Sequence, residues 1–217
     1  MHTVTILVAD DHAVVRRGLR ALLETQPSWH VVAEAGNGRE AVEKAATLRP
    51  QVVILDIGMP KLNGLDAAAM IYKANPKTRI LMLTMHAAEA LIEQTLQAGA
   101  SGYVLKSDAE RDLISAVDAL LHNKTFFTST AAAVILEHLR QGSPKKEVRA
   151  LGERLSVRER EVVQLLAEGK SNKEIGASLN ISKRTVDHHR ARIMDKLKLQ
   201  SVGELVLYAV RNKIVEP

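Results

Sequence analysis

Five short runs of β-branched and aliphatic residues, each followed by a stretch of helical periodicity, fix what the first half of this chain can fold into. The runs are VTILVAD (4–10), VVAEA (31–35), VVILDI (52–57), RILMLT (79–84) and GYVLK (102–106), and the spacing predicts helices over 13–25, 38–48, 64–74, 87–98 and 108–121. Alternation of this kind builds a parallel sheet with helices on both faces, and near-continuous apolar strands mean burial on both sides. The fold class expected is therefore α/β, a doubly wound five-stranded parallel sheet, followed by something smaller. Pro50, Pro60 and Pro76 all fall between elements, where a missing N–H does no harm.

The strand signal stops near residue 122. A helical pattern over 129–140 ends at Gly142, and SPKKEVRALGER follows with Pro, like charges and little apolar content. The boundaries expected are 1–122 for the sheet domain, 123–152 for a linker carrying that helix, and 153–217 for an all-α domain of short helices near 156–167, 171–178, 182–197 and 201–212. Ser156/Glu159, Ser171/Glu174 and Ser201/Glu204 have capping-box spacing at three of their starts. Charge divides with the domains: residues 1–140 hold 14 Lys and Arg against 15 Asp and Glu, whereas 141–217 hold 16 against 10. A basic C-terminal block points to an anionic partner, nucleic acid or a membrane surface. The absence of cysteine excludes disulfides and thiolate chemistry, and no stretch approaches a membrane span, so the expectation is a cytoplasmic protein without a membrane partner.

In an open α/β sheet the chemistry sits beyond the carboxyl ends of the strands. Here those ends carry Asp10 and Asp11, Asp56, Thr84 and Lys106. Clustered carboxylates repel one another without a cation among them, and carboxylates with waters suit Mg2+ better than a soft metal. Such an ion would bring a phosphoryl group to Asp56, with the Thr84 hydroxyl and the Lys106 ammonium left to hold its oxygens. Taken singly, the aspartates could cap a helix, Thr84 could end a strand and Lys106 could be a solvated charge.

In the C-terminal block, Gly169 stops one helix and LNIS (179–182) joins the next two, which is helix-turn-helix spacing. On the third helix Val186, Ile193 and Leu197 share one face, and Arg184, His188, Ala191 and Asp195 lie opposite. Lys183 and Arg184 stand at its N-terminus, where backbone N–H groups also favour phosphate. The neighbouring His188 and His189 point about 100° apart on a helix, which argues against a shared metal.

The acidic pair Asp10–Asp11, the ILDIGMP segment (54–60) with Gly64 after it, Thr84, and GYVLK with Tyr103 and Lys106 come in the order of the receiver domain of two-component response regulators, which residues 1–122 resemble. Residues 155–199 resemble the LuxR-type helix-turn-helix, with matches at Glu159, Gly169, Asn172, Glu174, Ile175, Thr185, Val186, His189, Ile193 and Lys196–Leu197. Together the halves are similar to the NarL/FixJ family. The resemblance implies that Asp56 is the phosphoacceptor, and that Asp11, Asp56 and the Gly58 carbonyl bind Mg2+ with Asp10 assisting, often through water. It implies further that Thr84 and Tyr103 form a switch pair and that Lys106 contacts phosphate. Gly58 and His86 occupy places that tune the phosphate lifetime, and their identities lead us to expect slow self-dephosphorylation. Lys173, Lys183, Thr185 and Lys196 are implied phosphate neighbours on DNA, while Asp187, His188 and Ala191 take base-facing positions; Arg184 and Val186 complete the candidate DNA-binding set. Asp187 departs from the basic residue often found there. Pairing through the last helix would use Val202, Leu205, Val206 and Ala209, which could equally pack onto their own domain.

The function implied is a DNA-binding transcriptional regulator, controlled by phosphoryl transfer from a histidine kinase or small phosphodonor and active as a homodimer. Three alternatives stay open at this point. A Mg2+-dependent aspartyl-phosphate phosphohydrolase would want a second acid two residues after Asp56, where Gly58 stands. A ligand-sensing LuxR-type protein would draw on aromatics, which make up 3% of the chain. The third is constitutive DNA binding with an idle receiver.

Overall fold

A computed structural model describes residues 3–85, 89–128, 131–133 and 155–215. Contacts divide the chain into two compact units, 1–142 and 143–217.

The first unit alternates strand and helix: β1 (Val4–Ala9), α1 (Ala13–Leu23), β2 (Trp29–Ala35), α2 (Gly38–Leu48), β3 (Val52–Asp56), α3 (Gly64–Ala74), β4 (Arg79–Thr84), α4 (Glu89–Gln97), β5 (Gly102–Leu105) and α5 (Ala109–Leu121). A short strand, β6 (Phe126–Phe127), follows. All pairings are parallel and the order is β2-β1-β3-β4-β5-β6. The expected five strands thus gain a sixth, placed by a turn through Asn123 at φ 60° and a hydrogen bond from Phe126 N to Ser101 O. Two residues are too short to show a period. The fifth strand also ends one residue early, and Lys106 opens a 3-10 turn, Lys106–Asp108.

Period-two geometry splits each central strand between two cores. Leu7, Ala9, Val53, Leu55, Ile80, Met82 and Tyr103 face one side, with α2, α3 and α4. Ile6, Val8, Val52, Ile54, Leu81, Leu83 and Val104 face the other, with α1 and α5. Gly64 is required at the start of α3 because a Cβ there would lie 1.9 Å from the carbonyl oxygen of Asp56. That close approach lets Gly64 N donate to Ile57 O at 2.9 Å, folding the β3–α3 loop back beside the strand end. Residues 131–133 are helical, with Ala131 buried in the first core. The remainder of the helix expected over 129–140, and most of the linker, lie outside the described residues.

The second unit is all helix: α6 (Val157–Ala167), α7 (Asn172–Leu179), α8 (Lys183–Leu197) and α9 (Val202–Arg211). Ser156 and Ser171 head full capping boxes, and Ser182 and Ser201 cap α8 and α9 by accepting from Thr185 N and Glu204 N. Gly169, at φ 79°, lets the chain leave α6. Val162, Val163, Ile175, Val186, Ile193, Leu205 and Ala209 form the shared core.

One ion pair ties the ends of this unit together. Lys196 Nζ, near the end of α8, lies 2.6 Å from Oε2 of Glu159, whose side chain is 4% exposed and also accepts from Ser156 N. Burial works against ionised Glu159, but the hydrogen bonds from Lys196 and Ser156 prevail and hold its carboxyl below the usual 4.5. A lowered folded-state value contributes stability that is present above the unfolded value and lost as pH falls through the folded one. Glu159→Gln should therefore weaken the second unit at pH 7 by about 1–2 kcal/mol, and the deficit should narrow as pH falls below the ordinary carboxylate value and through the lowered folded-state one. Urea unfolding followed by circular dichroism measures this, with fluorescence of the single Trp29 marking the transition of the first unit. A deficit that stays constant with pH would contradict the assignment.

Candidate functional site

Asp10 follows β1 directly, and its N–H donates to Ala35 O, which holds it against β2. Asp56 closes β3 between β1 and β4. Both are buried, at 0% and 4% exposure. Lys106, just past β5, reaches between them: Nζ is 2.7 Å from Oδ2 of Asp10 and 2.9 Å from Oδ2 of Asp56. Burial disfavours the ammonium, yet hydrogen bonds to Asp10 and Asp56 and the charges of both outweigh it and raise Lys106 above the ordinary lysine value.

Asp11 is more exposed, and His12 beside it places Nδ1 2.7 Å from Asp11 Oδ1 and 3.3 Å from Asp10 Oδ1. His12 N also donates to Asp10 Oδ1, and Arg16 donates to the Asp10 carbonyl at 2.7 Å, so the acidic loop is held from α1. The sequence reading passed over His12 and Arg16; adjacency to the acid pair was the available signal for His12. Ligand atoms of Asp10, Asp11 and His12 all lie within 4.8 Å of one another. Two buried carboxylates share a single ammonium and Asp11 adds a third, so the pocket keeps negative charge that a hard divalent cation would offset. The donor set fits such an ion.

Thr84 closes β4 and is buried beside Tyr103 of β5. Burial pushes the Tyr103 hydroxyl up to about 12, with a hydrogen bond to Thr84 pulling the other way, so it stays protonated and neutral. Gly58 follows Asp56 by two residues and is half-buried, and Met85 is exposed. His86 lies outside the described residues. Thus Asp10, Asp56 and Lys106 come into direct contact, Asp11 borders them, and Thr84 and Tyr103 pair on adjacent strands.

In the second unit, Asn180 at φ 52° turns the chain between α7 and α8, and Gly176 lies where a Cβ would come within 2.8 Å of Ile181 O. The tight turn presents the outer face of α8. Lys183, Arg184, Thr185, Asp187, His188 and Ala191 are exposed on it, and Lys173 is exposed on α7. Two expectations need correction, and a third residue gains a partner within its own unit. Val186 is fully buried and belongs to the core, because the helical period puts it on the face of Ile193. Lys196 is engaged by Glu159, a partner 37 residues away that no local pattern reveals. Leu205 and Ala209 are fully buried in their own domain, so of the pairing candidates only Val202 is exposed and Val206 half-buried. Leu207, 55% exposed, was missed there. His189 is half-buried with its Nδ1 enclosed, consistent with a packing role and not a metal pair with His188.

Comparison with known proteins assigns each unit to a domain family. Residues 6–118 match the response regulator receiver domain, and residues 153–209 match the bacterial regulatory proteins of the luxR family. The oxygen regulatory protein NreC of Staphylococcus epidermidis is 39% identical over 215 residues, spanning 97% of this chain and 99% of NreC. The RcsB response regulator of Salmonella typhimurium superposes with a TM-score of 0.59 at 29% identity, covering 97% of this chain and 100% of that one. A structure of two RcsB dimers bound to two parallel DNAs gives a TM-score of 0.59 at 30% identity, covering 95% of this chain and 98% of that one. The chain belongs to the response regulators that join a receiver domain to a LuxR-type helix-turn-helix, a family of DNA-binding transcription regulators controlled by phosphorylation.

Proposed function

We propose that Asp56 is the group through which phosphorylation controls this DNA-binding regulator. The observation that carries the assignment is the Lys106 ammonium shared between buried Asp10 and Asp56. An Asp56 carboxylate oxygen displaces the leaving group from the phosphoryl of a phosphohistidine on a kinase, or of a small acyl phosphate. The product is an aspartyl phosphate, and the leaving group departs with its electron pair. Asp11, Asp56 and the Gly58 carbonyl would hold Mg2+, with Asp10 assisting through water. When bound, the ion neutralises charge on the transferring phosphoryl.

Lys106 already sits at Asp56, so a phosphoryl there can replace a carboxylate oxygen as its partner without the ammonium leaving the pocket. The Thr84 hydroxyl turns toward a second phosphoryl oxygen. Tyr103, bound to Thr84 and neutral, follows it and carries the change along β5. A bias of about 1–3 kcal/mol on such a two-state element is sufficient for control. Gly58 supplies no acid for turnover on external esters, which favours a regulator over a phosphohydrolase.

On DNA, Lys173, Lys183 and Thr185 contact phosphates, Arg184 supports them, and Asp187, His188 and Ala191 face the bases. Two copies bind paired half-sites, with exposed Val202 and Leu207 and half-buried Val206 on α9 available for the contact between them. The half-sites lie about one helical turn apart, or a multiple of it.

Intact mass after incubation with Mg2+ and acetyl phosphate tests the acceptor. The native chain should gain one phosphate and Asp56→Asn none; equal gain by both would contradict the assignment. Binding to DNA should weaken steeply with salt, and Lys183→Ala should flatten the slope of log affinity against log salt by about one unit. An unchanged slope removes Lys183 from the phosphate contacts.

A further inference from the structure

Asp187 is an acid on the exposed face of a helix otherwise rich in cations, with Lys183 and Arg184 before it and Arg190 and Arg192 after it. A carboxylate among phosphate-binding groups lowers affinity for every DNA sequence, so it needs a compensating role. Asp195, further along the same helix, has its charge offset by Lys198 at 3.1 Å. No ion pair joins Asp187 to a cation among the described residues. Its Oδ1 instead accepts a hydrogen bond from Nδ2 of Asn172, the first residue of α7, at 2.5 Å.

That bond sets the direction of the carboxylate. Asn172 is half-buried on the neighbouring helix, so its amide fixes one oxygen of Asp187 and leaves Oδ2 without a protein partner among the described residues. Neighbouring His188 and Ala191 are exposed on the same side of α8, and the methyl of Ala191 one turn on leaves room for a base edge to approach. In the major groove a carboxylate can only accept. Cytosine presents an N4 amino donor there; guanine presents two acceptors, thymine an acceptor and a methyl, and adenine a donor flanked by the N7 acceptor.

Resting on the DNA-binding reading above, we infer that Asp187, positioned by Asn172, selects a cytosine in each half-site by accepting a hydrogen bond from its N4 amino group. The acid costs affinity for DNA in general and returns discrimination at one base pair. Asn172 acts as a positioning residue, since it holds the carboxylate and not the base.

Selection of binding sites from a random DNA pool tests this, using the full chain treated with Mg2+ and acetyl phosphate. The native protein should enrich one cytosine column per half-site that Asp187→Ala loses while the other columns persist. Replacing that cytosine should weaken native binding about tenfold and binding by Asp187→Ala less than about twofold. Asp187→Ala should also bind non-specific DNA more tightly. Asn172→Ala should lower the cytosine preference without altering the salt slope, which a purely structural loss would not do. If native protein and Asp187→Ala enrich the same columns and differ only by a uniform factor, the inference is overturned. If the native protein enriches no sequence while Asp56 is phosphorylated, the DNA-reading account falls and this inference with it.

Discussion

Everything in the receiver half turns on one ammonium held between two buried carboxylates. Lys106 reaches Asp10 and Asp56 from the turn just past β5, so three chain segments far apart in sequence meet at a single charge cluster. Two carboxylates with one ammonium leave the cluster short of positive charge, and Asp11 deepens the deficit. Such a cluster costs desolvation free energy that hydrophobic side chains in the same place would not. In the proposed function a cation and a phosphoryl group would offset that deficit, an event to which the fold can respond. The sheet supplies the rigidity, because the residues before each acid are buried on both faces. Gly64, packed against the Asp56 carbonyl, keeps the loop beside it from taking any larger residue.

The second unit solves a different problem, which is to present a helix whose outer face stays free. Capping serines start all four helices, and the Glu159–Lys196 pair ties the start of α6 to the end of α8. Val186 and Ile193 anchor α8 from beneath. Of the side chains left outside, Lys183, Arg184 and Arg192 carry cations that suit phosphates, and in the proposed reading Asp187, steered by Asn172, faces a base. In that reading, positioning and base reading are divided among different residues, as sequence discrimination at a DNA groove requires.

Much of this was legible in the chain itself, for identifiable reasons. Continuous apolar runs ending in Asp, Thr and Lys reveal both a buried parallel sheet and the chemistry at its ends, because strand order in an α/β fold gathers those ends at one edge. The two-residue β6 escaped because no period fits into two residues. Lys196 was assigned to DNA phosphate by the family pattern, and its ion pair with Glu159 was not visible because that partner is distant in sequence. Leu205 and Ala209 read as pairing residues because an apolar helix face looks the same whether it covers its own core or a second copy; three-dimensional packing alone separates them. His12 and Arg16, which hold the acidic loop, were overlooked because their partners are a backbone carbonyl and carboxylates already assigned elsewhere.

The central claim is that a phosphoryl group on Asp56 changes how the C-terminal domain binds DNA. The most direct measurement is the equilibrium affinity of the full-length chain for a selected DNA site, at fixed salt, before and after phosphorylation confirmed by mass, with Asp56→Asn treated identically. The account predicts that phosphorylation tightens binding by about 5- to 150-fold and that Asp56→Asn shows no change. Equal affinity for the unmodified and fully phosphorylated chain would contradict it.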